Sequence, residues 1–196
     1  MAPAGLAAVV LAGGAGRRLG GTDKPAIMVG ERPLIRSVVE AARAAGARQV
    51  IVVGPSRDEL PGVVFTSEDP AGGGPVPALR AGLRLTGEPQ VLLLAGDLPF
   101  LTGEVLSSLA SAACDGGGAV LVDDSGRAQW LASCWEAAAL KAALASYDGN
   151  SLHGLLPTLP ITEVAVQVKP GEPPCWLDCD TPADLAAARS FAEGLS

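Results

Sequence analysis

One histidine, His153, is all that the 196-residue chain contains, and aromatic residues make up only 4% of it. A single imidazole argues against a Cys/His metal site and against chemistry that needs paired histidines. Positive charge is also scarce: 14 lysines and arginines face 21 acidic residues, for a formal charge of −7. So acidic a chain is not expected to bind nucleic acid generally. The four cysteines, Cys114, Cys134, Cys175 and Cys179, show no C-x2-C spacing. They read as reduced and mostly buried thiols. No stretch reaches the ~18 uncharged apolar residues of a membrane span. The start, MAPAGLAAVVLAGGAG, has no basic leader region, and its apolar run is short. It reads as a first buried strand, and the chain is expected to be soluble, cytoplasmic and independent of membranes.

What is present is a rhythm. Short apolar runs at Leu6–Leu11, Val50–Val53, Val63–Thr66 and Val91–Ala95 alternate with amphipathic stretches at Pro33–Ala45 and Pro77–Leu85. Thr102 is placed to cap a helix reaching Ala113, with Glu104 in its first turn. Strands are expected at Ala119–Val122 and Leu131–Trp135, joined by the turn Asp123-Asp124-Ser125-Gly126. An alanine-rich helix follows over Glu136–Ser146, then a strand over Ile161–Val168. A last helix, capped by Thr181 with Pro182 at its first position, runs to about Phe191. This alternation predicts an α/β fold: a mainly parallel, Rossmann-like sheet with helices on both faces, in three layers. Such sheets bind ligands at strand C-termini. The glycine-rich loop and Gly96-Asp97 both lie at such ends.

The loop LAGGAGRRLGGTDKP, residues 11–25, concentrates glycines with Arg17, Arg18 and Lys24. It is not a Walker A loop, because Lys24 is flanked by Asp23 and Pro25. A dinucleotide fingerprint starts at Gly14-Ala15-Gly16, but Leu19 stands where the third glycine belongs. The parts still suit a triphosphate: glycines let backbone N–H groups approach phosphate oxygens, and the cations neutralise them. A merely solvated loop would explain the glycines but not three cations clustered in an acidic chain.

This loop resembles the signature LAGG-x-G-x-R-[ML]-G-G-x-D-K of the molybdenum cofactor guanylyltransferases, nucleotidyltransferases with the nucleotide-diphospho-sugar transferase type of fold. The likeness continues in Ser67-Glu68-Asp69-Pro70 with GGGPVPAL (72–79), in Gly96-Asp97-Leu98-Pro99-Phe100-Leu101, and in Asp180-Thr181-Pro182-Ala183-Asp184-Leu185. The resemblance implies one domain over residues 1–196, with a nucleotide-binding half to about residue 100 and an acceptor-binding half from about 101. It implies transfer of GMP from GTP to the terminal phosphate of molybdopterin, with pyrophosphate released. A phosphate oxygen is already a nucleophile, so positioning and charge neutralisation suffice.

Carried over by position, Leu11, Ala12, Gly13 and Gly14 would face the guanine and ribose through the backbone. Arg18 and Lys24 would hold the triphosphate, and Asp69 would contact the nucleoside. Asp97 would bind Mg2+, a cation that prefers carboxylate and phosphate oxygens. Molybdenum-cofactor delivery proteins or target molybdoenzymes would be its protein partners.

The chain also departs from the pattern. Asp178-Cys179-Asp180 stands where the family often has N-x-N, so Asp180 is either a second metal ligand or only a helix cap. Pro75-Val76-Pro77-Ala78 replaces Pro-Leu-Ala-Gly, and Gly54 replaces an asparagine that contacts nucleotide in some members. Gln129-Trp130-Leu131 lies near the acceptor side, with core packing the favoured role for Trp130. Arg127 and Lys141 read as solvated, and His153 as a bland loop or surface residue. Two alternatives remain open. One is a related transferase with another base or acceptor, such as cytidylyl transfer to the same cofactor, although Gly13 matches the guanylyl pattern. The other is a non-catalytic nucleotide-binding protein, against which the retained set Arg18, Lys24 and Asp97 argues.

Overall fold

Leu6–Leu11 forms β1, whose residues are almost all buried, as an apolar run inside a parallel sheet should be. The structure is a computed structural model and describes residues 5–13, 23–57, 59–113 and 116–194. β1 pairs in parallel with β4 (Gln49–Val53) on one side and β6 (Gln90–Ala95) on the other. β4 pairs with the short β5 (Val64–Thr66). Beyond β6 lie β8 (Ala128–Glu136), β7 (Gly118–Val122) and β9 (Ile161–Ala165). Among the described residues the main sheet has seven strands in the order β5-β4-β1-β6-β8-β7-β9. Only β8 runs against its neighbours; all other pairings are parallel.

Alternate side chains of each strand serve opposite faces. Ala8 and Val10 of β1 join Leu92 and Leu94 under α1 (Leu34–Ala44) and α3 (Gly103–Ala112). Ala7 and Val9 join Ile51, Val53 and Leu93 under α2 (Pro75–Leu83) and α4 (Ala137–Ala145). This is the expected three-layer α/β arrangement. A third, smaller cluster joins Val29, Leu34, Cys179 and Ala188. It fastens the last helix, α6 (Pro182–Gly194), to a small hairpin of β2 (Met28–Val29) and β3 (Arg32–Pro33). The Phe100 and Phe191 rings meet edge to face at 6.1 Å and extend this contact.

The caps explain several boundaries. Thr102 Oγ1 accepts from Val105 N at 3.3 Å, as the sequence suggests. Thr181 and Asp184 cap reciprocally: Thr181 Oγ1 accepts from Asp184 N at 3.2 Å, and Asp184 Oδ2 accepts from Thr181 N at 2.8 Å. Elsewhere the bounds shift. α2 starts at Pro75 rather than Pro77, because Gly74 at φ 97° turns the chain two residues earlier. β8 begins at Ala128 rather than Leu131, because Asp123 Oδ1 accepts from the N–H groups of Ser125 and Arg127, both at 2.9 Å, and closes the hairpin tightly. β9 stops at Ala165, short of Val168. The β2–β3 hairpin and the short α5 (Leu152–Leu155) are additions to the sequence expectation.

One glycine in α2 sets how closely that helix packs. A Cβ on Gly82 would lie 2.5 Å from Val9 Cγ1 and 3.2 Å from Val53 Cγ2, both buried in the sheet. Glycine-to-alanine in a helix ordinarily stabilises by about 1 kcal/mol. Overpacking a core costs about 1–3 kcal/mol. Neither valine has a flexible end to swing away, so the clash should win. Gly82→Ala is expected to lower the urea midpoint and the melting temperature; an unchanged or raised melting temperature would show that α2 shifts freely on the sheet.

Candidate active site

In chain order the strand paired on one side of β1 is β4, and the strand paired on its other side is the later β6. The C-terminal ends of β1 and β6 therefore flank a topological switch point, where α/β sheets bind ligands. A cleft of about 840 Å³ opens there. Its wall includes Leu11, Ala12 and Gly13 after β1, Asp97 after β6, Lys24, and Asp180 before α6.

Each functional side chain is delivered by a local device. Lys24 starts a 3-10 turn in which Ala26 N donates to Asp23 O and Ile27 N to Lys24 O, both at 3.0 Å. Asp97 follows Gly96, whose N–H donates to Leu11 O at 3.0 Å and extends the β1–β6 pairing past the sheet. A Cβ on Gly96 would lie 3.1 Å from Ile35 Cδ1 and 3.2 Å from Ala12 Cβ, so glycine keeps this crossing tight. Asp180 is carried by the chain leading into the Thr181 cap, and α6 is itself pinned on the β2–β3 hairpin.

The three elements converge on one ammonium group. Lys24 Nζ donates to both Asp97 Oδ2 and Asp180 Oδ1. The Lys24 and Asp97 side chains are 13% and 18% exposed, and that of Asp180 is 48% exposed. Burial opposes the lysine's charge, but Asp97 and then Asp180 more than offset it. The Lys24 pKa is raised above its ordinary value, and the group stays an ammonium. Asp178 also reaches the cleft; burial, then the charges of Asp180 and Asp97, push its carboxyl pKa up. Cys179 is fully buried between these aspartates. Burial first, with Asp97 adding, raises its thiol to about 12, so it is a packing residue and not a nucleophile. Cys134, Cys175 and Cys179 are all free and buried, as expected; Cys114 lies outside the described residues.

Of the residues singled out from the sequence, Leu11, Ala12, Gly13, Lys24, Asp97 and Asp180 all reach the cleft. Gly14 and Arg18, with Arg17, lie outside the described residues. Asp69 is exposed and is not among the described residues of the wall; its neighbour Glu68, half-buried, is. Glu68 Oε1 accepts from Gly72 N at 3.1 Å. Two adjacent acids in Ser67-Glu68-Asp69-Pro70 gave no sequence signal for which one turns inward. Asp180 accepts from Lys24, and the cap of α6 is made by Thr181 and Asp184 rather than by Asp180.

The opposite wall carries Arg127, Gln129, Trp130 and His153. Gln129 Nε2 donates to Asp123 Oδ2 at 2.8 Å, which ties the wall to the β7–β8 turn. Trp130 is half-buried: it packs against the α2/α4 cluster, in line with the packing role favoured for it, and also lines the cleft. His153 is exposed on α5, and the two rings meet edge to face at 6.3 Å. Lys141 is remote from this cleft and donates to Thr86 O at 3.0 Å.

The description "MobA-like NTP transferase domain" matches residues 8–164. The chain belongs to that family. Membership makes it a nucleotidyltransferase and accounts for a cleft that joins the end of β1, the Lys24 ammonium and the carboxylates of Asp97 and Asp180. A molybdenum cofactor guanylyltransferase from Acidiphilium cryptum (strain JF-5) is 30% identical, the match covering 94% of each chain. Two solved structures share the fold. The molybdopterin-guanine dinucleotide biosynthesis protein A of Archaeoglobus fulgidus superposes with a TM-score of 0.71 at 21% identity, covering 95% of this chain and 98% of its own. The 2-C-methyl-D-erythritol 4-phosphate cytidylyltransferase of Thermus thermophilus gives a TM-score of 0.72 at 19% identity, covering 96% and 99%. No helix among the described residues is long and apolar enough to cross a membrane.

Proposed function

We propose that the chain transfers the GMP part of GTP to the terminal phosphate of molybdopterin cofactor and releases pyrophosphate. The observation that carries this reading is the meeting of Lys24, Asp97 and Asp180 in a cleft walled by Leu11, Ala12 and Gly13 at the end of β1. The guanylyltransferase relative from Acidiphilium supports the choice of base and acceptor. In this reading the backbone of Leu11, Ala12, Gly13 and Gly14 faces the base and ribose, and Arg18 and Lys24 hold the triphosphate; Asp69, exposed and off the described wall, is given no contact with the nucleoside. Residues up to about 100 bind the nucleotide. The later half, with Arg127, Gln129, Trp130 and His153 on its wall, takes the acceptor.

The donor set fits a hard divalent cation. Asp97 and Asp180 aim carboxylate oxygens at one point, where Lys24 Nζ supplies the positive charge between them. Among the described residues no group of three or more His, Cys, Asp or Glu is arranged to hold a metal. Mg2+ binds through one or two carboxylates and completes its shell with phosphates and water, and Asp97 and Asp180 supply two. Asp97, with Asp180 as second ligand, would hold the ion, which when bound neutralises phosphate charge. Lys24 stabilises charge growing on the phosphates as the acceptor oxygen attacks the α-phosphorus. The acceptor phosphate needs no base, and neither Cys179 nor the lone histidine is asked for one.

Gly13 also supports a ligand-facing role. A Cβ there would sit 3.7 Å from both Glu68 carboxylate oxygens and 3.8 Å from Val53 O, which is ordinary contact. Packing among the described residues does not demand a glycine at this position, which lines the cleft. Cytidylyl transfer is the second reading, because the fold matches a cytidylyltransferase as well as it matches the guanine dinucleotide protein. Competition decides between them. With Mg2+, molybdopterin and all four nucleoside triphosphates at equal concentration, the product is expected to carry GMP; a product carrying CMP would overturn the assignment of the base.

A further inference from the structure

Asp23 belongs to the glycine-rich motif yet has no role so far, and a second buried charge explains it. Arg57 lies in the loop that follows β4, and its side chain is only 4% exposed. Its Nη2 donates to both carboxylate oxygens of Asp23, at 2.6 and 2.7 Å, and its Nη1 donates to Pro55 O at 2.9 Å. Asp23 is joined directly to Lys24, and its carbonyl accepts the Ala26 N–H that opens the Lys24 turn. The residue before the catalytic lysine is thus gripped by its side chain and its main chain at once. β4 is also the strand whose Val53 O accepts from Ala12 N at 2.9 Å. Ala12, at the end of β1, and Asp23 therefore lie against β4 and the segment that follows it.

We propose that Arg57 is a positioning residue for nucleotidyl transfer: by clamping Asp23 it fixes the Lys24 turn, so that the ammonium stands between Asp97 and the triphosphate. The clamp rests on the role given to Lys24 in the proposed reaction.

Stability alone is a poor reason to keep such a group. Buried ion pairs roughly break even against apolar replacements, because desolvation offsets their attraction. Here the balance is worse, since Arg57 Nε is buried with no hydrogen-bond partner among the described residues. An unmade buried bond costs about 1–3 kcal/mol. What the pair supplies instead is placement: Nη2 holds both Asp23 oxygens while Nη1 holds Pro55 O, which ties Asp23 to the segment after β4. In catalysis by positioned charge, an error of about 1 Å can lower the rate on the order of 100-fold. Lys24 acts on charge that grows in the transition state, so its misplacement should lower kcat more than it raises KM.

The test uses the full chain with Arg57→Ala, Asp23→Asn and the double variant. Asp23 is half-exposed, so Asp23→Asn leaves the core intact should Arg57→Ala fold poorly. Two readouts are taken: steady-state kcat and KM for GTP with Mg2+ and molybdopterin, and amide hydrogen exchange at Ala26 and Ile27. Each single variant is expected to lower kcat about 10–100-fold with KM changed about threefold or less. The double variant should be no worse than the poorer single, because both remove one interaction. Exchange at Ala26 and Ile27 should speed up at least about tenfold while β6 amides stay protected. Folded variants with wild-type kcat, additive losses in the double variant, or unchanged exchange at the turn would each overturn the clamp. If the wild-type chain transfers no GMP, the proposed function fails, and the exchange data still judge the clamp separately.

Discussion

Lys24→Ala is expected to lower kcat/KM on the order of 1000-fold while leaving the chain folded. Removing one preorganised donor to a developing oxyanion costs about 100–1000-fold, and a full charge on a transferring phosphoryl group is worth as much or more. Stability should fall far less. Deleting one partner of a fully buried pair costs about 3–5 kcal/mol, but the Asp180 side chain is 48% exposed, and water takes up much of the uncovered charge. A loss of about 1–2 kcal/mol is therefore expected. Circular dichroism and a melting curve establish the fold, and pyrophosphate release gives the rate. Turnover within tenfold of wild type would remove Lys24 from the mechanism.

The second large effect is expected from Asp97→Asn, which keeps the shape of the side chain and removes its charge. The Lys24 ammonium would keep Asp180 as its partner, so the cleft should hold its form. What is lost is the hard carboxylate at the end of β6, the residue best placed to hold a divalent cation. A fall in kcat on the order of 1000-fold is expected, together with a higher Mg2+ concentration for half-maximal rate. Asp180→Asn should act in the same direction but more weakly, because Asp180 is more exposed. Equal Mg2+ requirements in wild type and Asp97→Asn would show that Asp97 serves Lys24 alone.

How far these residues were legible in the sequence follows from the kind of signal each one leaves. Thr102 and the Thr181-Pro182 pair mark helix starts because capping needs a particular side chain at a particular offset. The buried runs of β1, β4 and β6 stand out because a parallel sheet buries both faces of a strand. The direction of β8 leaves no such mark in Leu131–Trp135, since an apolar run reads alike both ways; only the Asp123–Gly126 turn hints at the hairpin. Lys24 and Asp97 lie in motifs and were readable by position. Their meeting with Asp180 depends on α6 docking across the β2–β3 hairpin, and two-residue strands are too short to show a period. Glu68 and Asp69 have the same chemistry, so only the backbone course decides which one enters the cleft. Arg57 is the least legible: an arginine in a Pro-Ser-Arg-Asp stretch reads as solvated surface, and its burial appears only once Asp23 is folded against it.

Label transfer tests the central claim most directly. The chain is incubated with molybdopterin and Mg2+ and with GTP labelled with phosphorus-32 at either the α or the γ position. Attack on the α-phosphorus predicts that the α label appears in a molybdopterin guanine dinucleotide, while the γ label leaves in pyrophosphate. A γ label on the acceptor, or no α label on it when GTP is the only nucleotide supplied, would contradict nucleotidyl transfer of GMP.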